Sequence, residues 1–187
     1  SVLCSDAALP AFTALPRGCV GRRSMEDVWS EPAAARATRA LVDLESIRCN
    51  VAAIKQTVGN RVRIMAVVKA DGYGHGAVRV SQAALDGGAN CLAVAVPEEG
   101  RELRDAGIDC SILVFGAIRP CEAWKSVESG LEQTVCSAEL LEALAHASRD
   151  RGLTTPVHIK VDTGMGRIGL APDDVVPFAR KVESCPG

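Results

Sequence analysis

The chain has 187 residues, with 21 basic and 23 acidic side chains and a formal net charge of -2. That near-balance, with a pI near 5.9, supplies no basic stripe for nucleic acid and no cationic helix for a membrane surface. Hydrophobic residues make up 48%, yet no apolar run approaches the ~20 residues of a membrane span, and with aromatics at 3% the core must come from Ala, Val, Leu and Ile.

The opening stretch, residues 1–38, is rich in Ala, Pro, Ser and Arg and shows no clear periodicity. It lacks the order of a secretory signal, since the run 9–15 is interrupted by Pro10 and followed by Pro16. We read it as a poorly ordered or loosely attached extension. A transit-like peptide is the weaker alternative, opposed by Asp6, Glu26, Asp27 and Glu31.

From about residue 39 the organisation becomes regular. Asp43 is a plausible N-cap, and Leu44, Ile47, Val51, Ile54 and Val58 repeat at intervals of three and four, one apolar stripe on a helix that Gly59-Asn60 ends. A strand is expected at 64–69, a helix near 77–87 closed by Gly87-Gly88, and a strand at 91–96. Pro97-Glu-Glu then starts a helix, with Pro in its first turn and acids at the positive end of its dipole, and Gly107 stops it. A strand at 111–115, a short helix near 120–129 and a strand at 132–135 follow. Ser137 caps a helix carrying Leu140, Leu141, Leu144 and Ala145 on one side. A strand at 157–161, a glycine-rich loop and a helix at 173–184 complete the order. Five strands, each followed by a helix, argue for βα units around a parallel sheet. Both an open doubly wound sheet and part of a (β/α)8 barrel, which needs about 250 residues, satisfy that rhythm.

Eight cysteines (Cys4, Cys19, Cys49, Cys91, Cys110, Cys121, Cys136, Cys185) form no Cys-x-x-Cys pair, and no histidine stands at zinc-finger spacing from them. We expect no metal site, and free thiols of a reducing cytoplasm rather than a disulfide framework.

The chemistry concentrates in two strings. In Met65-Ala-Val-Val-Lys-Ala-Asp-Gly-Tyr-Gly-His-Gly76, a buried apolar strand ends on Lys69 and runs straight into a loop with Gly72, Gly74 and Gly76. Partial desolvation at such a place favours a neutral, nucleophilic amine. The loop and the helix after it offer N–H groups to an anion. An imine-forming lysine beside a phosphate site points to pyridoxal 5'-phosphate (PLP); the plainer reading is a lysine snorkelling from a strand end beside a glycine turn. In Val157-His-Ile-Lys-Val-Asp-Thr-Gly-Met-Gly-Arg-Ile-Gly169, Lys160 and Asp162 share a face with His158, and Arg167 sits among Gly164, Gly166 and Gly169. An arginine there can meet a phenolate or carboxylate with two parallel donors. The plainer alternative is a structural Lys160–Asp162 pair and a solvated Arg167.

Both strings closely resemble the two motif blocks of alanine racemases, and the likeness extends from about residue 40 to the end. The stretch 111–120, with Phe115 near a cofactor, is a weaker third match. The resemblance implies an α/β fold, a partial TIM-type (β/α)8 barrel with about five of eight βα units, an N-terminal fragment without the family's C-terminal β domain. It implies that Lys69 forms the imine with PLP and acts as the base on one face of the substrate, and that Tyr73 hydrogen-bonds the cofactor phosphate. Arg167 is then expected to contact the ring oxygen and the substrate carboxylate, and Lys160 to be a candidate for carbamylation that helps hold the arginine. The His75 counterpart is not a catalytic base, so a loop-structuring role is expected there. The second base is a tyrosine from the C-terminal domain of a partner subunit, so the complete enzyme is expected to be a cytoplasmic homodimer interconverting L- and D-alanine for peptidoglycan. Two alternatives remain beside it: a PLP-binding module without racemase activity, and a broader-specificity amino-acid racemase.

Overall fold

The computed structural model describes residues 40–186. The 1–38 stretch expected as an extension, with Cys4 and Cys19, lies outside the described residues. Asp43 caps the first helix, α1 (Leu44–Val58), by accepting a hydrogen bond from the Ser46 N–H at 3.1 Å. The apolar stripe of α1 is not fully buried: Ile54 is 51% exposed and Val58 39%. The reason is that α1 packs on another helix rather than on the sheet. Its backbone crosses the end of α2 (Ala77–Asp86) so closely that a Cβ at Gly87 would lie 2.5 Å from the Arg48 carbonyl oxygen.

Five strands follow in order: β1 (Met65–Val67), β2 (Cys91–Val94), β3 (Ser111–Val114), β4 (Glu132–Val135) and β5 (Val157–Ile159). Between them lie α2, α3 (Pro97–Asp105), α4 (Ala123–Glu128, entered through a 3-10 turn at Pro120–Glu122) and α5 (Ala138–Arg151); α6 (Val175–Glu183) comes last. Each strand is parallel to its neighbour, in the order β1-β2-β3-β4-β5. That order separates the two folds left open by the sequence. A doubly wound sheet reverses its strand order at a switch point, and this sheet never does. With right-handed crossovers the rule, an unreversed succession stacks every helix on one face and leaves the other as a barrel interior.

The packing agrees. Alternate strand residues Ala66, Val68, Leu92, Val94, Ile112 and Val114 join Ala77 and Leu103 from the helices in one core cluster. A second cluster sets Val135, Val157 and Ile159 against Leu140, Leu141, Leu144 and Phe178. The remaining strand positions, among them Val67, Ala93, Leu113, Thr134 and His158, face the interior.

One expectation needs correction. The glycine-rich segment after β1 is not an open loop but a single turn of left-handed helix over Lys69–Gly74, with φ of 52° at Ala70, 52° at Asp71, 59° at Gly72 and 57° at Tyr73. Only one of those four residues is glycine, so the conformation was not readable from the glycine spacing.

Candidate active site

β1 delivers Lys69 to the carboxyl rim of the sheet. Val68 is 1% exposed in the helix-facing core, so alternation sends Lys69 to the interior side with Met65 and Val67. The Val68 N–H donates to the Ala93 carbonyl at 2.8 Å, which carries the β1–β2 pairing past the last strand residue. Lys69 itself is half-buried, and its Nζ stands 5.9 Å from the centroid of the Tyr73 ring, a cation–π arrangement. Tyr73 is 59% exposed. Val67 pairs with Ala93 and Ala93 with Leu113, so Phe115, two residues on, is level with Lys69; both Val67 and Phe115 are 37% exposed and give the rim an apolar side.

Three non-glycine residues at positive φ cost roughly 1–2 kcal/mol each, and the turn is tied from several directions. Asp71 Oδ1 accepts from the Ala77 N–H at 2.7 Å, and the Gly76 N–H donates to the Asp71 carbonyl at 2.9 Å. The His75 Nδ1 lies 3.0 Å from both the Gly72 and Tyr73 carbonyl oxygens, which is a loop-structuring contact. Glu99, from the first turn of α3, accepts from the Ala70 N–H at 2.7 Å. The Asp71 bond also takes up one of the N–H groups expected to face an anion at the start of α2. The Ala77 amide there already has a carboxylate, so an incoming phosphate would compete with it.

At the opposite edge, the Lys160 N–H donates to the Val135 carbonyl at 2.9 Å, extending the β4–β5 pairing. Asp162 Oδ1 then accepts from the N–H groups of Gly164 (2.9 Å) and Gly166 (3.0 Å), bonds that hold its carboxyl below the ordinary range. The chain returns through Leu170, whose N–H donates to the Lys160 carbonyl at 2.8 Å. Gly169 is required for that return: its φ is 137°, and a Cβ would lie 2.5 Å from the Asp162 nitrogen. Asp162 therefore shapes the loop and makes no direct ion pair with Lys160. Lys160 and Arg167 are both exposed, and among the described residues neither is in an ion pair.

The structure thus brings Lys69 and Tyr73 together and sets Arg167 on the same rim at the other edge strand. In an unbent sheet four spacings of ~4.8 Å would separate the two edges by roughly 19 Å; closure into a barrel narrows that span. Two surface clefts lie elsewhere, one of them between α1 and α2 and lined by Leu44, Arg48, Val78 and Gln82. Lys69 stands on the open interior face instead, so cleft size is a poor guide to the chemistry here.

A polar group that sequence reading missed lies deeper on that face. His158 Nε2 is 2.6 Å from Glu132 Oε2, and Ser111 Oγ hydrogen-bonds Glu132 Oε1. Burial works against ionisation of Glu132, but the bonds from Ser111 and His158 and the charges of His158 and Arg63 outweigh it, leaving the carboxyl below its ordinary range. Only His158 had been noticed, as a neighbour of Lys160 on one face. Its partners come from two other strands, which no local spacing reveals. Among the described residues no cluster of His, Cys, Asp and Glu could hold a metal ion.

The residues at the β1 mouth fit PLP. The half-buried Lys69 has its amine against the Tyr73 ring, Val67 and Phe115 offer an apolar wall, and Cβ atoms built at Gly74 and Gly76 would meet nothing within 4 Å.

Fold and rim together define a parallel βα-barrel segment with a lysine at the mouth of its first strand. Residues 42–187 match the family model described as alanine racemase, N-terminal domain. The alanine racemase of Symbiobacterium thermophilum is 47% identical over 147 residues, 79% of this chain and 39% of that protein. The crystal structure of alanine racemase from E. faecalis superposes with a TM-score of 0.73 at 38% identity, covering 77% of this chain and 39% of that one. A histidine racemase from Leuconostoc mesenteroides is also similar, with a TM-score of 0.69 at 30% identity over 76% of this chain and 38% of that one. The chain belongs to the alanine racemase N-terminal domain family, and it spans about two-fifths of the length of the curated relatives it matches.

Proposed function

We propose that residues 39–187 form the cofactor-bearing part of a PLP-dependent racemase that interconverts L- and D-alanine. The observation that carries the reading is Lys69 at the mouth of β1, with Tyr73 5.9 Å from its amine on a turn held left-handed from outside. PLP, when bound, supplies an electron sink that lets an amino acid release its α-proton. Lys69 holds the cofactor covalently and moves the proton on one face of the α-carbon. Tyr73 donates its hydroxyl to the cofactor phosphate. Arg167 aims its planar donors at the ring oxygen and the substrate carboxylate, an interaction that also selects for an amino acid over an amine. Lys160, carbamylated, would present an anion to steady that arginine.

Alanine is the substrate we favour because relatives 40–47% identical to this chain carry that name. The histidine racemase likeness keeps a larger substrate as the second reading. The proton on the other face is assigned to a tyrosine of a partner subunit in a homodimer.

The test is to mix the protein with PLP, reduce with borohydride and map the peptides. The pyridoxyl group is expected on Lys69. Label confined to Lys160 or Lys55 would overturn the assignment.

A further inference from the structure

Two peptide groups near Lys69, the one before Val68 and the one after Lys69, are fixed against β2 or its exit. On the strand side the Val68 N–H is bonded to the Ala93 carbonyl at 2.8 Å. On the far side, the peptide joining Lys69 to Ala70 points its N–H at Glu99 Oε1, 2.7 Å away. The second oxygen of the same carboxylate, Oε2, accepts from the Ala95 N–H at 2.7 Å and the Val96 N–H at 3.3 Å, where the chain leaves β2. One side chain therefore ties the exit of β1 to the exit of β2. The tie continues around the rim: the Gly116 N–H donates to the Ala95 carbonyl at 3.1 Å, and the buried Gln133 of β4 donates to the Gly116 carbonyl at 3.1 Å. A Cβ at Gly116 would lie 2.2 Å from the Ala95 oxygen, so the approach of these two exits is close as well as bonded.

We propose that Glu99 is a positioning residue for Lys69: by holding the Ala70 N–H it keeps the turn after Lys69 left-handed and so fixes the direction in which the lysine side chain leaves the strand. The direction of that N–H and the ψ of Lys69 are one degree of freedom, because the peptide is planar. Ala70 has φ of 52°, a conformation an alanine does not adopt unaided, and Glu99 is its external partner. A carboxylate suits the task because its two oxygens serve two exits at once, with charge-assisted bonds to both. A glutamine has one oxygen, and its amide group would face either the Ala70 N–H or the Ala95 and Val96 N–H groups with another donor. The common role of an acid at this place, capping its own helix, accounts for the Val96 contact but not for the shorter one to Ala70.

The proposal rests on the reading of Lys69 as the PLP lysine, and the experiment separates the two. Wild type, Glu99→Gln, Ala70→Gly and the double variant are compared as full chains. Three properties are followed: the circular-dichroism melt, peptide-resolved amide hydrogen exchange, and the rate at which PLP and borohydride fix a pyridoxyl group on Lys69. Glu99→Gln is expected to stay folded, to exchange faster in the 69–76 peptide, and to label Lys69 roughly 10–100-fold more slowly. Ala70→Gly in the same chain should restore labelling, because glycine takes positive φ without the tie. A helix-capping role would not be rescued in that way. Unchanged labelling and exchange in Glu99→Gln, or a loss that the glycine does not restore, overturns the proposal. If Glu99→Gln fails to fold, the double variant decides: folded and labelled supports the proposal, and otherwise it falls. If wild type takes no label on Lys69, the PLP reading fails, and exchange alone decides the role of Glu99: faster exchange restored by the glycine supports it, and unchanged exchange refutes it.

Discussion

Gly169 and Arg167 show how one residue's conformation serves another's chemistry. A methyl group at Gly169 would collide with the Asp162 nitrogen at 2.5 Å, with φ already at 137°. Gly169→Ala should therefore lower stability by about 1–3 kcal/mol and loosen the loop that presents Arg167, both readable from thermal melts and hydrogen exchange over 162–170. Arg167→Lys makes the complementary test. In the complete enzyme it should lower turnover with little effect on the melting temperature, because the bidentate fork is lost and the fold is not. Wild-type turnover with an unchanged cofactor absorption band would mean that the arginine is only a surface charge. At this scale the sequence was readable where the family's motifs are contiguous strings, as around Lys69 and Arg167. It was silent where a role depends on a distant partner. Glu99 could be read only as an acid at a helix start, since its bond to Ala70 crosses 29 positions. Glu132 gave no signal at all, because Ser111 and His158 come from the strands on either side.

The elements were legible for a simpler reason: each carries its own punctuation. Asp43 and Ser137 cap α1 and α5 through the bonds their side chains accept, and Gly152, in the left-handed region, ends α5. All the strands except β4 came out shorter than expected. Val68 and Lys160 continue the ladder by one hydrogen bond each before the chain turns into the rim. What the pattern could not supply was the handedness of the turn after Lys69, which is imposed by α3 and by Asp71 rather than by local preference. The bridge from β3 through Glu132 to β5 yields a pH prediction at this scale. Its folded pKa lies below the unfolded value near 4.3. Between the two the unfolded chain binds more protons, so the stability this carboxylate contributes is present above that range and is lost as pH falls through it. Melting temperatures of wild type and Glu132→Gln should thus differ most near neutrality and converge as pH drops below about 4. A gap that stays constant down to pH ~3 would show that the bridge adds nothing through its charge.

For the molecule as a whole, β1 and β5 are the sheet's two edges among the described residues, β5 being followed by only an isolated Val161–Leu170 bridge, and Val67 and Phe115 on the interior face are each 37% exposed. Unpaired strand edges beside exposed apolar residues favour association, so the 187-residue chain should self-associate at concentrations where closed barrels stay monodisperse. Its chemistry should be one-sided for a related reason. Inversion of an α-carbon needs a proton donor on the face opposite the base. On the function proposed above, Lys69 serves one face, and the chain's only tyrosine, Tyr73, shares the Lys69 turn. A general acid or base typically contributes ~10²–10⁴-fold, so a site with one of the two should exchange the α-proton of L-alanine with solvent far faster than it inverts the centre. Saturating the chain with PLP and following deuterium incorporation and optical rotation together tests this directly. Incorporation with retained configuration is the expected result. Inversion keeping pace with exchange, at the rate of a complete racemase, would mean that a second proton donor lies within these 187 residues and that Tyr73 is the first candidate for it.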